Sequence, residues 1–209
     1  MKNLLLGLKI LVALLAIMIG IYFIVKARIK VNLNNKLEMV YAEWDSLSYL
    51  QNLNKEYLCK LIRSDQELEK TNDSIAYLFE KCQSITTDSN CNDTVIATQY
   101  KINESFLALK RLIYDSSYAK SPFSDSLLNL LEISALNLNN RVKEYNTVVK
   151  EFNLFYSTFP VFLIAKSHGF KRQPYFELYY GKSNKDPIAK KNEIPEWQRK
   201  IEEEYGFTE

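Results

Sequence analysis

Glycine and proline are scarce in this chain, five of each in 209 residues, and histidine occurs once, at His168. So few turn formers exclude an all-β protein with many tight turns. A lone histidine excludes a di-iron bundle site, which needs a Glu-x-x-His pair on each of two helices. It also leaves little room for a histidine-rich zinc site. Charge of one sign is missing too: 27 basic and 25 acidic residues leave a net charge of +2, so no nucleic-acid partner is expected. The sequence has no Gly-rich phosphate loop, no C-x-x-C pair and no nucleophile elbow. Ser167-His168 is the one serine–histidine adjacency, and neighbours in sequence point different ways on a helix, so no dyad follows from the spacing. No catalytic residue, cofactor or metal ligand is expected.

The amino terminus is rich in what the rest lacks. From Leu4 to Val25 the only charge is Lys9, and Lys26, Arg28 and Lys30 follow. About 20 apolar residues at 1.5 Å each cross a hydrocarbon core of roughly 30 Å, and Lys9 is near enough to the end to snorkel towards headgroups. A cleaved signal peptide would have a shorter core and small residues at the cut; the bulky Ile21 to Val25 and the basic flank favour a retained anchor. Membrane lipid around residues 4–25 is the first expected partner. Orientation is less clear, because Lys2 and Lys9 oppose Lys26, Arg28 and Lys30 in the positive-inside balance.

Three cysteines bear on that question. Cys82 and Cys91 bracket the polar stretch QSITTDSN, which looks like a turn between helices. A disulfide there would close a small loop and require an oxidising compartment; two unpaired surface thiols are the equal alternative. Cys59, in NKEYLCKLIR, reads as a small core residue. These features lean towards a bulk domain outside the cytoplasm.

Beyond the anchor, Leu33, Leu37, Val40, Trp44, Leu47, Leu50, Leu58 and Leu61 recur at helical spacing, so the first helix is expected to continue out of the membrane. No Pro or Gly occurs between Ile21 and Ser121. Ser64 with Glu67 fits a capping box opening a second helix through Ile75, Leu78 and Phe79; an unbroken helix is the alternative. DSNCNDT at Asp88 to Thr94 predicts a turn, with Asp93 or Thr94 as the next cap and Val95, Ile102, Phe106, Leu109 and Ile113 on one face. Ser124 is expected to begin the last long helix.

That helix has a regular seam. Leu131, Ala135, Leu138, Val142, Tyr145, Val149, Phe152, Tyr156 and Phe159 alternate steps of four and three, a 3.5-residue period that predicts helix packing at a shallow angle. Glu132, Asn139, Asn146 and Asn153 each follow a seam residue at seven-residue intervals. They read either as a boundary stripe of inter-helix hydrogen bonds or as a register-fixing ladder that could face another subunit. Pro160 then ends the helix or starts a short one over Val161 to Ser167, stopped by Gly169. From Lys171 the chain is expected to be extended, with Tyr175 and Phe176 folding back over the bundle end. A polar tail follows, with a short helix after Pro195.

In its ending the chain resembles the LemA family of bacterial membrane proteins. The matching residues are Tyr145-Asn146, Phe152-Asn153, Phe159-Pro160, Ala165, Gly169-Phe170-Lys171 and Tyr175-Phe176-Glu177, with the family spacing kept throughout. The anchor and Glu43-Trp44-Asp45 are also family-like. The run YLQNLNKEYLCKLI departs from the family's Arg-Arg, Asp and Leu-Ile-Pro-Asn-Leu pattern, and Phe152 replaces the usual second tyrosine. The resemblance implies an all-α fold: one amino-terminal transmembrane helix, then an antiparallel four-helix-type bundle of long helices. It implies no catalysis, and one relative's part in building magnetosome membranes suggests membrane organisation. The expected division is an anchor at 1–30, a bundle at 31–177 and a polar tail at 178–209. The expected role is a scaffold in the bacterial inner membrane, joined to further copies of itself or to another protein. An envelope-associated hydrolase with a site hidden from sequence is the alternative.

Overall fold

The structure, a computed structural model, describes residues 2–64, 91–115 and 122–192. Among them it is all-helical: α1 (Lys2–Ser64), α2 (Asp93–Asp115), α3 (Pro122–Tyr156), α4 (Val161–Ser167) and α5 (Pro187–Asn192). The capping box at Ser64 and Glu67, the segment through Ile75, Leu78, Phe79 and Cys82, and the helix expected after Pro195 lie outside the described residues.

With no Gly or Pro to break it after Gly20, α1 runs unbroken for 63 residues, about 95 Å at 1.5 Å per residue. Its first part is apolar and exposed from Ile10 to Val25. It is long and apolar enough to cross a membrane, and none of that apolar window is buried inside the protein. Burial begins one turn later. Ile29 is half-buried, and Leu33, Val40, Trp44, Leu47 and Leu58 are fully buried. One helix therefore passes from an exposed apolar part to a packed part without a joint.

α3 is the main partner of this second part of α1. Its seam is buried from Leu131 through Ala135, Leu138, Val142, Tyr145, Val149 and Phe152. Lys36 pairs with Glu151 at 3.6 Å and Glu43 with Arg141 at 3.7 Å, so the order of pairing is reversed along the two helices. The seam does not reach its expected end: Tyr156 is half-buried and Phe159 is 78% exposed. The helix stops at Tyr156, where Ser157 and Thr158 N–H groups turn back to the carbonyls of Asn153 and Phe155. Phe159 keeps the heptad spacing but has left the helix, so it no longer lies on the seam.

The other ends also differ from expectation by small steps. Asn92 caps α2, its Oδ1 accepting from the Val95 N–H at 2.8 Å, where Asp93 or Thr94 was expected. α3 opens at Pro122, two residues before Ser124, with proline in the first turn where its missing N–H costs nothing. α4 is bent by 98° from α3 and closes as expected at Gly169. The Phe170 N–H reaches the Ala165 carbonyl and the Gly169 N–H the Lys166 carbonyl, a Schellman closure with Gly169 at φ +76°.

Candidate functional site

The asparagine stripe on α3 has a partner that neither sequence reading named: the backbone of the extended segment after α4. Asn153 Nδ2 donates to the Gln173 carbonyl at 2.8 Å, and the Gln173 N–H donates to Asn153 Oδ1 at 2.9 Å. Asn146 does the same to Phe176, at 2.8 and 2.9 Å, and Asn139 to Tyr180, at 3.0 and 2.8 Å. Each side-chain amide thus exchanges both bonds with one residue, as a facing residue does in an antiparallel ladder. This geometry fixes which way each amide points, since the nitrogen must meet the carbonyl. Glu132, the first member of the stripe, has no amide to offer and pairs with Lys110 instead.

The spacing explains why three asparagines suffice. Seven helical residues advance about 10.5 Å, and three extended residues about 10 Å. Asn153 to Asn146 therefore matches Gln173 to Phe176 closely. Phe176 to Tyr180 is four residues, about 13 Å if straight, so the segment must take up slack there. A fourth asparagine continues the clamp from α2: Asn103 Oδ1 accepts from the Gly181 N–H and its Nδ2 donates to the Lys182 carbonyl, both at 2.8 Å. Gly181 has φ +75°, the left-handed turn at which the chain leaves α3 for α2.

Side chains along the segment alternate. Phe176, Leu178 and Tyr180 are buried, and Tyr175, Glu177 and Tyr179 are exposed, the period of two expected of a strand. Phe176 lies 6.0 Å from the Trp44 ring and is stacked on Tyr180 at 6.4 Å, and Trp44 meets Tyr145 at 5.4 Å. The Tyr145 hydroxyl donates to the Pro174 carbonyl at 3.0 Å. Tyr180 reaches deepest, its hydroxyl accepting from Gln51 Nε2 at 2.9 Å and donating to Gln99 Oε1 at 3.2 Å. Burial raises both phenols above the ordinary tyrosine range. Burial likewise pushes the Cys91 thiol up to about 12, although its hydrogen bond with Tyr145 opposes the shift.

Of the residues singled out in sequence, Tyr145, Asn146, Phe152, Asn153, Phe170 and Phe176 converge here or in the core beside it. Pro160 and Gly169 bracket α4, and Phe159 and Tyr175 are exposed. Cys91 is a thiol beside Tyr145, and the other half of the expected disulfide, Cys82, lies outside the described residues. Gln51, Gln99, Asn103, Leu178 and Tyr180 went unnoticed. The alternation Phe176, Leu178, Tyr180 was the available signal. The packed segment runs to Lys182, five residues past the boundary expected at Glu177. What the arrangement does chemically is hold an extended peptide by its backbone, with pockets for alternate side chains. Among the described residues no group of three or more His, Cys, Asp or Glu is placed to hold a metal ion. No family model, curated protein or solved structure matches the chain.

Proposed function

We propose that the chain is a membrane-anchored helical scaffold of the LemA type, an antiparallel four-helix-type bundle held at the bacterial inner membrane with its bulk outside the cytoplasm. The observation that carries this reading is the continuity of α1, whose exposed apolar part passes without a break into the part that packs on α3. A load on the domain is transmitted directly to the span, as suits an organising protein. Support for the LemA type comes from the motif residues meeting one another: Tyr145, Asn146, Asn153 and Phe176 act on a single extended segment. The reversed pairing order of α1 and α3 supports the antiparallel arrangement. No described group favours the hydrolase alternative; the Cys91 thiol, raised to about 12, is protonated at neutral pH and is no nucleophile.

The test is made on the full chain in cells. Tyr49 is exposed far along α1, and Tyr49→Cys adds a thiol there to the native three. Extra labelling by an impermeant maleimide before lysis is expected; extra labelling only after lysis contradicts the outside placement. Crosslinking in mild detergent checks the scaffold role. Recovery of the chain as a monomer with no co-purifying protein contradicts it.

A further inference from the structure

We infer that α4 is a second membrane contact, an interfacial helix lying in the headgroup layer beside the span. The inference rests on the reading of α1 as a transmembrane helix. The level of α4 follows from pairing along α1. Lys36 lies over the Phe155 ring at 5.9 Å and pairs with Glu151, so the last turn of α3 is level with Lys36. Lys36 stands eleven residues beyond Val25, about 16 Å above the end of the apolar run. α4 comes after that last turn, bent 98° away from the α3 axis and in contact with both α1 and α3. A helix about 10–12 Å wide, laid crosswise in a gap of about 16 Å, brings its outer face to within roughly 5 Å of the hydrocarbon. The headgroup layer on each side of a bilayer is about 5–8 Å deep.

The two faces of α4 match that placement. Val161, Ile164 and Ala165 are buried, Val161 and Ala165 in the same core cluster as Leu33, with Ile29 packed against it. The opposite face carries Phe162 and Leu163, 40% and 52% exposed, with the exposed Phe159 before them and Lys166 after. Positions 162, 163 and 166 share that outward face of α4, and Phe159 stands in the turn just before the helix. Large apolar side chains on an outward face are costly in water and favourable at the acyl boundary, where interfacial helices sink about 5–10 Å. Exposed cations occur on both elements: Arg28 and Lys30 on α1 just past the apolar run, Lys166 in α4 and Lys171 soon after it. They complement anionic headgroups. A bilayer surface therefore fits the patch in shape, depth and charge, and it is continuous with the span.

Photocrosslinking of the full chain in phosphatidylcholine–phosphatidylglycerol vesicles tests the contact. Benzoylphenylalanine is placed singly at Phe162, at Met18 within the span, and at Tyr49 well beyond it; the last two are 62% and 67% exposed. Lipid adducts at Met18 and Phe162, with none at Tyr49, are the expected result. A lipid adduct at Met18 with no adduct, or a protein–protein adduct, at Phe162 overturns the interfacial helix and leaves the span intact. Absence of a lipid adduct at Met18 overturns the span, and the contact with it.

Discussion

Two stripes on α3 lie one residue apart and bind by different means. Leu138, Tyr145 and Phe152 are buried in the core shared with α1, while Asn139, Asn146 and Asn153 grip the backbone of an extended chain. The seam excludes water and is indifferent to direction; its strength scales with apolar area. The ladder is directional, and every bond fixes which residue of the segment sits where. Helix packing is thus set by the first stripe, and the register of the segment by the second. The heptad serves both, since it keeps a face towards α1 and also matches three extended residues.

The comparison can be broken from the segment side. Phe176→Ala removes the ring between Trp44 and Tyr180, and should cost about 3–5 kcal/mol in thermal or denaturant unfolding of the full chain in detergent. Asn146→Ala leaves the Phe176 N–H and carbonyl without their partners, and should cost about 2–3 kcal/mol. Glu132→Ala, on the same stripe but exposed and paired only with Lys110 at the surface, should stay within about 0.5 kcal/mol. An Asn146→Ala loss no larger than that of Glu132→Ala would mean the ladder adds nothing.

Raising the pH attacks the buried hydroxyls and the thiol under the segment. Cys91, Tyr145 and Tyr180 all have folded pKa values above their unfolded ones, by burial. The folded state then holds more protons at high pH, so the stabilisation is complete below about 9 and declines as pH rises past the ordinary cysteine and tyrosine values. Circular dichroism melts should be flat from neutral pH to about 9 and fall from there upward. A Tyr180→Phe chain should show a shallower fall, and an unchanged one would contradict Tyr180 as a contributor.

Two smaller changes test where the stripes end. Gly169→Ala meets open space, so only its φ of +76° resists, and a loss of about 1 kcal/mol is expected. Phe159→Ser should alter stability by less than about 0.5 kcal/mol, because the ring is outside the core despite its heptad position. A loss in the range of Phe176→Ala would return Phe159 to the seam.

Much of this was legible in the residues. The continuation of α1 beyond its apolar part followed from the helical spacing of Leu33 to Leu50, and the seam from its 3.5-residue period, because both are repeated local signals. The asparagines were legible as a stripe, yet their partner was not. Its alternation spans only Phe176, Leu178 and Tyr180, and no second strand of similar pattern accompanies it to suggest pairing. A backbone satisfied by side-chain amides leaves no mark at the residues being gripped. Phe159 misled for the opposite reason: spacing continued after the helix had ended at Tyr156 and the chain had turned. The boundary expected at Glu177 followed the end of the family-like motif, and side-chain bonds to the segment's backbone continue to Lys182.

Amide hydrogen exchange of the full chain in detergent tests the ladder most directly. The Phe176 and Tyr180 N–H groups, donated to Asn146 and Asn139, should be strongly protected, and Asn146→Ala should release Phe176 while Leu138 in α3 stays protected. Exchange at Phe176 as fast in the native chain as in the Asn146→Ala variant would contradict the account.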